Sequence, residues 1–394
     1  MAKKKSSKAR PSKIESKSRK KSVKKKVTKK KVTPRRSASK KKGSMPSGDP
    51  QTEYLKLQAD LVRRWSYADP LPEVTAKMAS LRPALDLNWL ATIRTCTTPP
   101  SPVDVASLLP EFRKLARTTV RLNPRPGTNE PEASKIGGLF LWPQDEEWPS
   151  CKEHDSAFVP ALQIAKADFP EVEFPRGADL MQILWCPNDH EPGYCPDVRV
   201  VWRSRASVKK PVDKHPEPNT EAGRFEGYVP QPCRLYPERI VEYPDPFETL
   251  PKGWNERLES APEVASALAA NTAQTIGNWS DHGDADRLYQ CALSTAEGTK
   301  LGGYPDWVQD PWYPKCQCGR TMEHLVSFSS CEFDGETWFR WLPIEERDVL
   351  GGEYEVRNRV QNAPKWMFGD AGNMYVFVCR KCPDWPIVAG MQCS

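Results

Sequence analysis

The chain reads as an α+β protein: a basic arm, a short helical segment, and a duplicated body in which strands dominate. Three observations predict this. Residues 134–151 recur without a gap at 299–316. Apolar and β-branched runs between proline and glycine turns follow a helical stretch. A lysine-rich block with almost no apolar side chains comes before both.

The block is the first element. Residues 1–43 hold 21 Lys or Arg and a single acid, Glu15, so this segment carries +20. The remaining residues hold 37 basic and 50 acidic side chains, leaving a body of −13 in a chain whose net charge is +7. The excess of positive charge therefore belongs to the arm alone. A segment with so little to bury cannot offset its conformational entropy, so residues 1–49 are expected to be disordered. Lys3, Lys4, Lys5, Lys24, Lys25, Lys26, Lys29, Lys30, Lys31, Arg35, Arg36, Lys40, Lys41 and Lys42 are its candidate contacts to nucleic acid or another polyanion. Met45 directly after the run is a candidate alternative start.

Residues 50–118 are expected to be helical. Tyr54, Leu55, Leu57, Leu61, Val62 and Trp65 fall largely at helical spacing between Thr52 and Tyr67. Shorter pieces follow at Glu73–Leu81, Asn88–Thr95 and Val103–Leu115, the last split by Pro110. Two halves of the body are then expected at 119–250 and 251–394. Candidate strands are Gly138–Trp142, Ala161–Ala165, Leu180–Trp185 and Val198–Trp202, followed by a proline-rich irregular stretch over 204–250. Helix returns at 255–275. Strands His324–Phe333 and Glu336–Trp341 are expected to form a hairpin about Asp334-Gly335, with Cys331 facing Trp338, and Met374–Val378 is the final strand.

The repeat organises the body. SKIGGLFLWPQDEEWPSC and TKLGGYPDWVQDPWYPKC share eight of eighteen positions: the lysine, both glycines, Trp142/Trp307, Gln144/Gln309, Asp145/Asp310, Pro149/Pro314 and Cys151/Cys316. Such self-similarity marks duplication of one structural unit. The expected geometry is a Gly-Gly turn feeding a short strand and a proline-fixed loop, with the two tryptophans at equivalent core positions. Each half also has an apolar strand ending on a cysteine, Met181–Cys186 and Met374–Cys379.

These residues resemble the YwqG-like family of uncharacterised bacterial proteins. The resemblance rests on Lys300-Leu-Gly-Gly-Tyr304 with Gln309-Asp310-Pro311, on Phe368-Gly-Asp-Ala-Gly372, and in the first half on Lys135-Ile-Gly-Gly138, Leu162-Gln163-Ile164 and Leu180–Trp185. It covers roughly residues 120–394. It implies an α+β fold with a large mixed sheet, so the fold class becomes a duplicated mixed-sheet body behind a helical segment and an arm. It brings no established activity; a toxin-immunity-type role is the one functional hint. The basic arm and the full cysteine set depart from the shorter family members.

The chain has no span of about 18 apolar residues and no apolar h-region behind its basic N-terminus. A cytoplasmic or nucleoid-associated location follows as the expectation, nuclear in a eukaryote, with no membrane partner. In that compartment the twelve cysteines are thiols or metal ligands. Cys316-x-Cys318-Gly and Cys379-x-x-Cys382 are two close pairs that can surround one Zn²⁺ with four thiolates. The alternative is four reduced core cysteines. Cys151, His154, Cys186 and His190 offer a looser second site, with Cys195 as an alternate. For that set the alternative is a solvated loop histidine. Cys96, Cys233 and Cys291 have no partner pattern.

No P-loop, GxSxG elbow, HExxH or dinucleotide fingerprint is present. Asp189-His190, and Asp310 with Asp370, are candidate pairs for acid–base work; the alternative for each is a turn or cap aspartate. The leading expectation is a non-enzymatic, zinc-stabilised binding protein, its body recognising an unknown protein partner and its arm binding nucleic acid. The rival is a metalloenzyme using the N-terminal Cys/His set.

Overall fold

The structure is a computed structural model describing residues 48–394, apart from 128–129, 192, 221–225, 273–284 and 394. Arm residues Lys3 to Lys42 lie outside the described residues.

Three helices come first: α1 (Pro50–Arg64), α2 (Pro72–Leu81) and α3 (Leu87–Ile93). Asp49 starts α1 by accepting the Gln51 and Thr52 amides, and Pro50 takes the first helical position, where no amide is needed. Tyr54 and Leu61, seven residues apart, share a buried face with Met78 and Leu81 of α2, Leu90 of α3 and Ile344 from the body. Pro110 splits the next stretch into α4 (Val105–Leu108) and a 3₁₀ turn at Pro110–Lys114.

The strands lie in two ribbons and two repeat blocks. One ribbon holds β1 (Arg117–Arg121) and β2 (Arg125–Pro126). The first block follows with β3 (Lys135–Ile136), a small hairpin of β4 (Ser150–Cys151) and β5 (Ser156–Ala157), then β6 (Val159–Ala165), β7 (Leu180–Trp185) and β8 (Val198–Arg203). The second ribbon holds β9 (Cys233–Arg234) and β10 (Glu238–Glu242). The second block holds β11 (Lys300–Gly302), β12 (Glu323–Ser329), β13 (Asn373–Val378) and β14 (Ile387–Gln392).

Two six-stranded sheets result, in the orders β2-β9-β3-β6-β7-β8 and β10-β1-β11-β12-β13-β14. The orders match strand for strand, and all the pairings are antiparallel. The ribbons cross over: β1 lies beside β11 of the second block, and β9 beside β3 of the first. Each ribbon is therefore split between the sheets: β2 and β9 complete the first block's sheet, and β1 and β10 complete the second's.

The glycine pairs occupy equivalent turns. Gly137 and Gly138 have φ of 59° and 68°, and Gly302 and Gly303 have 66° each. A Cβ on Gly303 would also lie 1.9 Å from Glu242 Oε1, so a side chain is excluded there on two grounds. The expected order of elements at these turns is reversed. The short strand comes first, at Lys135–Ile136 and Lys300–Gly302, and the glycines then turn the chain out of the sheet. Gly138–Trp142 is accordingly irregular, not a strand.

Alternation along β7 and β13 builds the core. Met181, Ile183 and Trp185 meet Met374, Val376 and Val378 in one cluster that includes Phe328, Trp366 and Phe368. Trp185 packs edge-on against Phe328 at 5.0 Å between ring centres. Each such side chain contributes roughly 1.5–3 kcal/mol on burial. The opposite faces are covered as well, which explains the nearly continuous apolar runs. Leu184 and Cys186 join Phe140, Trp142, Cys151 and Phe158. Tyr375, Phe377 and Cys379 join Trp307, Cys316 and Met322. Trp142 and Trp307 thus hold equivalent core positions.

Further corrections concern the second block. The hairpin about Asp334-Gly335 does not form. Asp334 Oδ1 instead accepts the Glu336 and Thr337 amides at 2.7 and 2.9 Å, starting the helical turn α8 (Trp338–Trp341) where a strand was expected. Cys331 therefore does not face Trp338 across a ladder. The helix expected at 255–275 appears as α5 (Trp254–Glu259) and α6 (Pro262–Thr272), followed by α7 (Ala285–Leu288). A 3₁₀ turn at Ile344–Gly351 and helix α9 (Tyr354–Gln361) lie between β12 and β13.

Candidate metal centres

The second repeat segment leaves its Gly-Gly turn, buries Trp307, and reaches Cys316 after Pro314. The chain then folds tightly: the Cys316 amide donates to Arg320 O, the Gly319 amide donates to Cys316 O, and Gly319 has φ 83°. That turn presents Cys316 and Cys318. Cys379 stands at the end of β13, and its amide donates to Pro386 O. The loop beyond it returns Cys382 to the same point. Cys316 Sγ lies 3.6 Å from Cys382 Sγ, Cys318 Sγ 3.7 Å from Cys379 Sγ, and Cys379 Sγ 3.9 Å from Cys382 Sγ.

The first segment repeats the plan with different donors. Trp142 is buried, Pro149 precedes the β4–β5 hairpin, and Asp155 at φ 44° closes the turn that carries Cys151 and His154. Cys186 ends β7 as Cys379 ends β13, and His190 follows on the next loop. Cys151 Sγ is 3.6 Å from His154 Nδ1 and 3.6 Å from His190 Nε2; Cys186 Sγ is 3.5 Å from His154 Nδ1. Within each set of four the ligand atoms all lie within 4.8 Å of one another.

These distances discriminate between readings. Bond lengths of about 2.3 Å for Zn–S and 2.0–2.1 Å for Zn–N give tetrahedron edges of about 3.8 Å between sulfurs and about 3.6 Å between sulfur and nitrogen. The observed separations match both edges. A disulfide requires about 2.05 Å. Both sets can therefore hold a metal ion.

The surroundings suit ionised ligands. Backbone N–H groups, that of Lys381 foremost, hold the Cys379 thiol down to about 7 against the opposing effect of burial. Cys382 is pushed up to about 12, first by hydrogen bonds of its thiol with the sulfurs of Cys316 and Cys318, and also by repulsion from a Cys316 thiolate. A cation relieves that repulsion. In the first site, His190 Nδ1 is 3.1 Å from Glu153 Oε2. A proton held there leaves Nε2, the atom facing Cys151, as the free donor. Glu153 was not singled out in the sequence; its signal is its place between Cys151 and His154.

The remaining candidates separate from these sites. Cys195 stands apart from the four-residue cluster, with its Sγ 3.6 Å from Pro196 O. Asp189 accepts a hydrogen bond from Tyr228 Oη at 2.9 Å. The Asp310 carbonyl accepts from Gln392 Nε2. Gly369 (φ 58°) and Ala371 (φ 54°) form a tight turn before β13, which places Asp370 in backbone geometry rather than in an acid–base pair. Burial pushes the thiols of Cys96, Cys233 and Cys291 up, as suits ordinary protonated cysteines. No helix among the described residues is long and apolar enough to cross a membrane.

A family model matches residues 134–381, from the opening of the first repeat segment to one residue short of Cys382. The chain belongs to the DUF1963 family. That family is a domain of unknown function. The matched region contains seven of the eight clustered ligands and both Gly-Gly turns. No curated protein matches the chain.

Proposed function

We propose that this protein is a non-enzymatic interaction module of YwqG-like type. Its duplicated body is stabilised by two zinc ions, one in each half, and its basic arm binds nucleic acid or another polyanion. The observation that carries the proposal is the pair of four-donor clusters at equivalent places, with separations matching the edges of a tetrahedron around zinc. Four protein donors fill a tetrahedral site and leave no position for water or substrate, which favours a structural ion over the metalloenzyme reading. Thiolate and imidazole donors in that geometry favour zinc over harder cations. The arm's +20 drives binding through release of counterions from phosphates, whereas the −13 body repels the same polymer. Lysine ammonium groups in a run offer charge to phosphates and not a base-edge pattern, so binding should be independent of sequence. The acidic body is left to recognise a protein partner.

Metal analysis and DNA titrations on the full chain and on a variant lacking residues 1–43 test both parts. Two equivalents of zinc are expected in each. The full chain should bind DNA with a steep salt dependence, losing about 10³-fold or more between 50 and 200 mM salt if six or more phosphates are neutralised. The shortened chain should not bind. Metal-free protein, or iron in place of zinc, would refute the zinc assignment; equal binding by both proteins would place the nucleic-acid site in the body.

A further inference from the structure

The 3₁₀ turn Ile344–Gly351 contains four consecutive charged side chains, and all four are buried: Glu345, Glu346, Arg347 and Asp348 are 2–4% exposed. Three of them are answered. Glu345 accepts from the Thr97 amide and from the hydroxyls of Thr95 and Thr97. Glu346 is paired with Arg125 and Arg94. Asp348 takes Arg82 in a two-pronged contact and the Tyr54 hydroxyl as well. Arg347 is the exception. Its Nη2 donates to Phe339 O at 2.7 Å, and its Nε and Nη1 have no hydrogen-bond partner among the described residues.

The guanidinium carbon of Arg347 lies 4.6 Å from the Trp65 ring centre and 5.2 Å from that of Trp338. Burial above all, and then the neighbouring Arg340, oppose its charge, while Tyr67 favours it. A guanidinium stays protonated at any working pH, so this is a buried cation with no anion paired to it among the described residues. The indole Nε1 of Trp65 is likewise enclosed without an acceptor. Enclosure by the rings keeps solvent water from serving these groups.

Arg347, Trp65 and Trp338 share a wall of a cavity of about 580 Å³, whose other side is formed by α2 through Ala76 and Ala79. Its lining is mostly apolar, and its size is ordinary for a small-molecule site. We propose that this cavity binds a small amphiphilic carboxylate, its apolar body against α2 and its carboxylate against Arg347. A shift of the half-buried Trp65 ring opens the guanidinium to the ligand. One uncompensated positive charge calls for a monoanion. Asp348, already paired with Arg82, and Asp69, whose carboxylate accepts the Leu71 amide, also line the cavity and disfavour a dianion such as a phosphate monoester. The site stands apart from both metal centres and does not depend on them.

Calorimetric titration of the full chain with octanoate, octan-1-ol and octyl phosphate tests this. Wild-type protein should bind octanoate at least tenfold more tightly than either of the others. Arg347→Met should abolish the preference over octan-1-ol while leaving binding of the alcohol. Ala76→Trp, at an exposed position on the rim, should weaken octanoate and octan-1-ol alike by tenfold or more. Undetectable octanoate binding, equal affinity for acid and alcohol, tighter binding of the phosphate, or octanoate affinity that survives either substitution would each overturn the assignment. If Arg347→Met does not fold, the wild-type ratios and Ala76→Trp decide it.

Discussion

The two halves share a turn, a buried tryptophan and a ligand cluster at the same place, yet their chemistry differs. The second half gathers four thiols in a neighbourhood of Lys315, Arg320, Arg380 and Lys381. The first gathers two thiols and two imidazoles in a neighbourhood of Glu153, Asp155, Asp189 and Glu191. Zinc with four thiolates carries a charge of −2, and zinc with two thiolates and two neutral imidazoles carries none. The net flanking charge follows that difference, with Lys152 beside the first set and Asp384 beside the second as the exceptions: mostly cations beside the anionic set, mostly acids beside the neutral one. Duplication thus preserved where the backbone delivers ligands, while ligand identity and surrounding charge changed together.

The largest expected consequence lies in the second half. Cys379 directly follows β13, which is paired on both sides, so a metal there ties the sheet to both the Cys316–Arg320 turn and the returning loop. Cys379→Ser should remove one zinc per chain and destabilise the fold by several kcal/mol. The double change Cys151→Ser with His154→Ala should also remove one zinc. Its effect on stability should be smaller, because the β4–β5 hairpin is peripheral to the sheet. Metal analysis with denaturant unfolding checks both. Stability losses in the opposite order would mean that the first-half site is the main clamp.

A second contrast is between the repeated lysines. Lys300 is fully buried and makes a 2.8 Å ion pair with Glu242, which also accepts the Ala296 and Tyr304 amides. Lys135 is buried at the equivalent position, but its Nζ donates to Glu130 O, a neutral carbonyl. Burial pushes the Lys135 ammonium down to about 8. Lys300→Met leaves a carboxylate buried without its partner and should cost about 3–5 kcal/mol. Lys135→Met strands no charge and should fall within about 1 kcal/mol of wild type at pH 7, in either direction. The pH dependence has a definite sign. Between about pH 8 and the usual lysine value near 10.4, the unfolded chain holds a proton that folded Lys135 has released, so wild-type stability rises with pH there. That rise should be absent in Lys135→Met. Equal losses for the two lysines, or a rise that persists in the variant, would show that their environments do not differ as described.

Much of this was readable in the sequence, for identifiable reasons. The repeat aligned the two Gly-Gly turns because positive φ restricts the residue type at both. The apolar runs at 180–185 and 374–378 marked strands buried on both faces. Paired cysteine spacing selected the four residues of the second site, and alignment of the halves pointed to the first. Other features depended on tertiary context. Asp334-Gly335 has hairpin chemistry, but the Asp334 side chain bonds ahead to Glu336 and Thr337 and starts a helix. The strand at 387–392 contains Gly390 and gains its pairing from β13. The charged run Glu345–Asp348 resembles a solvated face, and only long-range partners such as Arg82, Arg94 and Arg125 make it an interior segment.

The smallest expected effect sharpens the contrast between the metal sites. Glu153 touches no metal position; it orients His190 by accepting from Nδ1, and it is itself largely exposed. Glu153→Gln keeps the size and an acceptor oxygen but removes the charge, which weakens the basicity of Nε2 and the hold on the ring. Zinc affinity of the first site should fall by about 10–100-fold, the usual consequence of losing a partner of a ligating histidine. Folding stability in saturating zinc should stay within about 0.5 kcal/mol, because an exposed carboxylate contributes little by itself. The second site has no histidine ligand, so its affinity should not change. Competition with a chromogenic chelator separates the two equivalents: in the variant one should be released earlier and the other on the wild-type time course. Two unshifted equivalents would show that Glu153 does not support the site. Two shifted equivalents would show that the halves are coupled through the shared core rather than holding their ions independently.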